Sequence, residues 1–257
     1  MTSPNPSSML PFLRTLEARS HLDAEEQQAI LDLPFVPAQV RANHDFVRQG
    51  QRLTHSCFVL DGVVGSFKQD SDGNRQIVSV FINGDMVDLH SVVMPEAPSA
   101  LQALTPSTIL QVPHSALRQL ARDHPNIGEA FWRHCVVDAG ILMEWVINVG
   151  RRDARKRMAH FFCELATRSV GGEPDDGMVI PYPITQFQLS DILSLTAVHV
   201  NRMMQALRQS RLLESVERSS HRILDWNGLA RTGDFDPGYL HLPERQIAQP
   251  ALGLGHG

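Results

Sequence analysis

The chain is poor in the residues that build covalent or metal-held scaffolds. Its three cysteines in 257 residues, Cys57, Cys135 and Cys163, are widely spaced and form no Cys-x-x-Cys pair. That spacing argues against a disulfide framework and supplies no zinc-ligand set, so buried thiols are expected. Long apolar runs are missing too. The most hydrophobic stretch, CVVDAGILMEWVINV at 135–149, is interrupted by Asp138 and Glu144 and is too short to span a bilayer, so no membrane segment is expected. The N-terminal MTSPNPSSML has no basic region followed by an apolar block, so no signal peptide is read there and a cytoplasmic protein is expected. No Ser-His-Asp spacing, phosphate loop or paired carboxylates stand out, which points away from an enzyme and from a cofactor.

What is present is an ordinary globular composition, 42% hydrophobic and 20% charged, in a chain long enough for two domains with cores of their own. The net charge of -5 is unevenly spread. Residues 151–231 hold 12 Lys plus Arg against 9 Asp plus Glu, a balance of +3, which leaves -8 for the remainder. The chain thus divides into an acidic N-terminal part and a mildly basic C-terminal one, and the basic part is where a polyanion would be met.

The hydrophobic period changes along the chain. Residues 10–30 read as helical, and from 36 to 112 short β-type runs (DFVRQG, SCFVLDG, VVGSFKQ, RQIVSVF, STILQVP) alternate with Gly, Asp, Asn and Pro turns, including a hairpin signal, DSDG, at 70–73. Many short strands in succession predict a barrel or β-roll. A short helix at 115–122 and a long one at 127–149 follow. On the long helix Phe131, Cys135, Asp138, Leu142, Trp145 and Val149 form one stripe, and Trp132, Val136, Ala139, Met143 and Val146 a second. Two adjacent apolar stripes suit a helix that packs on its own domain with one and on a partner helix with the other; burial within one subunit is the alternative. Asp138 within this helix needs a partner, water or a ligand.

ITQFQLSDILSLTAVHVNRMMQAL at 184–207 reads as two short helices broken near Ser194 and Leu195. Leu189, Ile192, Leu193, Val200, Met203, Met204 and Leu207 account for the buried faces, leaving Thr196, Val198, His199, Asn201 and Arg202 on the outside of the second helix. Guanidinium and amide groups there suit a major groove, where Arg pairs with guanine and Asn with adenine, although any amphipathic hairpin has a polar outer face. Next, Val216 and Ile223–Leu224 flank a polar centre at 218–221, as in a β-hairpin wing whose Ser220 and His221, with Gln186 and Thr196, are expected at phosphates. The tail from Gly233, rich in Pro and Gly, lacks periodicity, and its last dozen residues are expected to be disordered.

A β-roll, a long apolar helix and a C-terminal helix-turn-helix with a wing, in that order, resemble the Crp/Fnr family of bacterial transcription regulators. The specific anchors are INGD at 82–85, GRRDARKRMAHFFCELA at 150–166 and PITQFQLSDILSLTAVHVNRMMQALRQSRLLE at 183–214. The resemblance implies an α+β fold with a cyclic-nucleotide-binding-like β-roll at 10–126, a dimerisation helix at 127–150, a winged helix-turn-helix at 151–231 and a partly disordered tail at 232–257. It further implies a homodimer on a palindromic site in double-stranded DNA, contact with RNA polymerase, and room for a small-molecule effector of unassigned identity. The recognition-helix motif Val-His-Val-Asn-Arg marks a branch: familiar members carry Glu where this chain has Val198, four residues before an Arg matching Arg202, and Ser194 replaces the usual turn glycine.

Where cyclic-AMP-binding members carry a Gly-Glu and an Arg-Ser pair, this chain has Asp88-Leu89 and Pro98-Ser99, and the adenine-contacting positions match the apolar Leu142 and Met143. The residues before Cys57 contain no cysteine for an iron-sulfur centre. Neither sensor is expected. The alternative reading is a metal-dependent or redox β-roll, built on His55 and His90, that carries a winged helix for protein interactions.

Overall fold

The computed structural model describes residues 6–181, 183–217 and 220–242. Helices α1 (Leu10–Glu17) and α2 (Ala24–Leu31) precede the roll, the latter opened by a capping box between Asp23 and Glu26. The roll has two antiparallel sheets. One runs β1 (Val36–Val40), β7 (Ser107–Pro113), β3 (His55–Asp61); the other runs β2 (His44–Val47), β6 (Ala100–Ala103), β4 (Val64–Gln69), β5 (Arg75–Phe81). Asp70 makes the β4–β5 turn by accepting from the backbone N–H of Asp72 and Asn74. The INGD turn closes on itself when Asp85 accepts from the Ile82 N–H at 2.8 Å. Gly84 there has φ +97 and its carbonyl accepts from Thr15, so a side chain would be both strained and pressed onto α1.

Helix α3 (His114–Asp123) leads into α4 (Pro125–Arg151). The buried seam of α4 is Ile127, Ala130, Phe131, His134, Val137, Ile141, Trp145 and Asn148. This differs from the expected first stripe, since Leu142 is exposed while His134 and Asn148 are inside. The two polar residues are held by the backbone, His134 at the Met86 carbonyl and Asn148 donating to the Arg157 carbonyl, so their burial carries no hydrophobic signal. The second stripe stands open on this chain: Trp132, Val136, Met143 and Val146 are 65 to 75% exposed.

Asp153 caps α5 (Ala154–Val170), which Gly171 ends in the left-handed conformation. Then come β8 (Val179–Ile180), α6 (Gln186–Leu193), α7 (Ala197–Gln209), the strands β9 (Leu213–Glu217) and β10 (Ser220–Ile223), and α8 (Trp226–Gly233). The first part of the tail is structured. A 3-10 turn at Pro237–Leu240 buries Leu240 completely, and the Tyr239 ring stacks on His160. Residues 243–257 of that tail lie outside the described residues. No helix among the described residues is long and apolar enough to cross a membrane.

Candidate nucleic-acid interface

Helix α6 starts with a reciprocal cap: the Thr185 hydroxyl accepts from the Gln188 N–H, and Gln188 Oε1 accepts from the Thr185 N–H at 2.8 Å. It ends at Ser194, whose φ of 52 makes the turn that sequence alone assigned to a strained serine. Leu189, Ile192 and Leu193 then meet Val200, Met204 and Leu207 in one buried cluster with Phe161 and Phe162 of α5. That packing fixes which side of α7 faces solvent. Val198, Asn201 and Arg202 fall at i, i+3 and i+4 on the open side, with Val198 78% exposed.

Thr196 is the N-cap of α7, accepting from the His199 N–H at 3.3 Å, and its hydroxyl also lies 3.1 Å from His199 Nδ1. Gln186 is exposed at the first position of α6, beside an exposed Phe187. Six of the eight expected contact residues (Gln186, Thr196, Val198, His199, Asn201 and Arg202) are exposed on the helix pair.

The wing departs from expectation. Ser220 is half-buried at the start of β10, and His221 is 7% exposed, packed edge-on against Phe162 at 5.1 Å. Burial, with Arg208 nearby, lowers the His221 imidazole to about 4 and keeps it neutral. His221 is a core residue and not a phosphate contact. Strand β10 begins at Ser220, inside the 218–221 span expected for the turn, and its alternation points His221 and Ile223 inward. The Arg222 guanidinium is paired with Glu214, and Arg218 and Ser219 lie outside the described residues.

Sequence reasoning missed the contacts that dock this unit on the roll. Gln188 Nε2 donates to the Leu104 carbonyl at 2.7 Å and to Asn43 Oδ1 at 3.1 Å, so one side chain both caps α6 and holds it to the roll. Gln76 of β5 donates to the Ile192 carbonyl and accepts from the Ser194 hydroxyl, and Arg75 pairs with Asp191 at 3.5 Å. A T-x-x-Q pattern signals the cap; nothing local signals the partners.

Behind α6 and α7 lies a buried polar cluster. Glu164 of α5 accepts from Trp145 Nε1 at 3.0 Å, from the Tyr239 hydroxyl at 2.8 Å and from Arg168, which also holds Asp85 of the roll at 2.6 Å. Burial raises the Glu164 carboxyl above its ordinary value, while Arg168 and these donors oppose the shift. The roll, α4, α5 and the C-terminal turn thus meet at one carboxylate.

Among the described residues no group of three or more His, Cys, Asp or Glu is arranged as a metal-ligand set. His55 sits on β3 near His114, and His90 lies in the 3-10 turn Leu89–Val92.

Residues 37–124 match the cyclic nucleotide-binding domain, and residues 156–232 match the Crp-like helix-turn-helix domain. The chain is 22% identical over 176 residues to the fumarate and nitrate reduction regulatory protein of Vibrio cholerae, covering 68% of this chain and 69% of that one. It is 21% identical over 208 residues to the transcriptional activator protein FnrL of Cereibacter sphaeroides, covering 79% and 81%. The solved structure of FixK2 from Bradyrhizobium japonicum superposes with a TM-score of 0.70 at 22% identity, over 78% of this chain and 98% of that one. With both domains matched in order and a roll, long helix and helix-turn-helix in place, the chain belongs to the Crp/Fnr family of DNA-binding transcription regulators.

Proposed function

We propose that the protein acts as a cytoplasmic homodimer that places two copies of α7 in successive major grooves of a palindromic operator, about 34 Å apart. The observation that carries this reading is the open side of α7, where Arg202, Asn201 and Val198 stand clear of a fully packed helix-turn-helix. Arg202 reads a guanine, Asn201 and His199 contact bases or phosphates, and Gln186, Thr196 and Ser220 hold phosphates. Val198 supplies an apolar contact of the kind a thymine methyl takes, in place of the acidic reader of familiar members, so the branch reads its own half-site. Residues 10–126 form the sensing unit, 127–150 the dimer helix and 151–231 the DNA-binding unit. The exposed α4 stripe supports the dimer, since Trp132, Val136, Met143 and Val146 form an apolar face that a monomer leaves wet.

The sensing unit answers neither to cyclic AMP nor to an iron-sulfur centre, and the bound dimer works on RNA polymerase. Asp88-Leu89 and Pro98-Ser99 offer no phosphate grip, and an acidic side chain beside a proline repels a cyclic phosphate. In vitro selection of operator sequences by the purified chain tests the reading: enrichment of a two-fold symmetric site with guanine at a fixed place in each half is expected, and no enrichment over random DNA overturns it.

A further inference from the structure

Helix α8 ends at Gly233 and the match to the helix-turn-helix domain ends at 232, yet the chain stays packed through 234–242. This segment crosses the elbow at Arg152 and Asp153, where α4 gives way to α5. Its base is fixed to the DNA-binding unit. A Cβ on Gly233 would lie 2.6 Å from the His160 backbone nitrogen, so the chain leaves α8 directly on α5, and Phe235 packs edge-on against His160 and Trp226. Its tip is fixed elsewhere. The Leu240 carbonyl accepts from Arg19 Nε at 3.2 Å, just past α1, and the Tyr239 carbonyl lies against Gly140 within α4, where a Cβ would meet it at 3.4 Å.

Between base and tip the elbow itself is gripped. Arg152 donates to the Asp234 carbonyl at 3.2 Å while paired with Glu144 of α4 at 2.6 Å. The Tyr239 ring stacks on His160 and its hydroxyl donates to Glu164, both of α5, and Leu240 is wholly buried. One short segment thus touches the end of α1, the middle of α4, the elbow and α5. Gln188 and Arg75 tie α6 to the roll of its own subunit, whereas this segment ties the unit to α4. In the dimer reading, α4 is the helix on which the second copy packs.

We propose that residues 234–242 are a strap that fixes the angle between α4 and α5, which makes Tyr239 a positioning residue for the spacing of operator half-sites. The inference rests on the reading of a dimer on a two-fold site. Two α7 copies are then carried by two α4 helices, so any swing at the elbow changes their separation and relative tilt. One extra base pair moves a half-site by about 3.4 Å and about a tenth of a helical turn. A unit held at one angle matches one spacing, and every other spacing costs distortion of protein or DNA. A loose unit adapts and loses that preference.

The test is binding of the full chain to its selected two-fold site and to the same site with one base pair inserted or removed at the centre. Wild type should bind both altered sites about tenfold or more weakly. Tyr239→Ala takes the ring off His160 and the donor off Glu164; Gly140→Leu keeps every strap side chain and wedges the strap backbone away from α4. In both variants the spacing penalty should fall to about threefold or less, with the preferred bases inside each half-site and dimeric sedimentation unchanged. A turn that only adds stability would weaken binding to all three sites alike. That uniform loss, or the full penalty retained in both variants, overturns the proposal. So does wild type binding all three sites within about threefold, a result that needs no variant. Failure to select any two-fold site counts against the operator reading itself, whereas strict spacing that survives both substitutions removes the strap and leaves that reading standing.

Discussion

The Tyr239 hydroxyl donates to Glu164 at 2.8 Å, joining a turn six residues beyond the last long helix to the carboxylate where roll, α4 and α5 meet. Removing only that hydroxyl leaves a buried carboxylate oxygen short of a donor while the ring still stacks on His160. Tyr239→Phe should therefore lower stability by about 1–3 kcal/mol, seen as a lower urea midpoint at unchanged slope. An unaltered midpoint would remove the turn from the account of what holds the two domains together.

Asp88 and His221 shift in opposite senses, and so do their pH effects. The folded Asp88 carboxyl lies at about 7 against an ordinary 3.8, so the folded state binds the extra proton between those values. Its contribution is complete below about 4 and is lost as pH rises towards 7, with a limiting slope of about 1.4 kcal/mol per unit. Asp88→Asn should flatten that component, so the stability of variant minus wild type grows from pH 4 to 7. His221, lowered from 6.5 to about 4, gives the reverse: stability falls as pH drops below 6.5, because the unfolded chain takes the proton first. Stability curves of the single variants separate the two.

The split between base reader and core residue is open to a binding assay. Arg202→Ala should weaken operator binding by about 1–3 kcal/mol and relax one position in each half-site, whereas His221→Phe should leave both close to wild type. The reverse order of effects would return His221 to the interface and remove Arg202. Val198→Glu is expected to move the half-site preference towards cytosine at the position it faces.

The exposed stripe of α4 makes a prediction about assembly. Met143→Glu combined with Val146→Glu places two charges on a face that is open in a single chain, so the subunit should still fold. Burying either charge against a second copy costs several kcal/mol, enough to turn a dimer into monomers at micromolar concentration. Sedimentation of a doubly substituted protein that remained dimeric would place the subunit contact elsewhere.

Much of this architecture was readable from period and turn chemistry. The DSDG turn, the helix break at Ser194 and the outer stripe of α4 are all local features, with their causes within a few residues of each other. What escaped reading was polar and distant. His134 and Asn148 sit inside α4 because backbone carbonyls meet them there, and Gln188 finds Asn43 and Leu104 at separations of 145 and 84 residues. Strands β6 and β8, of four and two residues, are too short to show alternation. His221 was misplaced by an error of a residue or two in the end of a turn, which is enough to reverse the face of a strand. Tyr239 was overlooked because proline and glycine around it suggested a tail.

Ser194 holds the helix-turn-helix break at φ 52, a backbone state that disfavours every residue except glycine by about 1 kcal/mol or more, yet its hydroxyl reaches Gln76 on the roll. Glycine would relax the turn and lose the tether. With serine, the ease of holding the turn is thermodynamically linked to whether the two domains touch: lifting the DNA-binding unit off the roll leaves the strain without its compensating bond. Any molecule that changes how firmly the DNA-binding unit rests on the roll therefore also changes how rigidly α7 is presented.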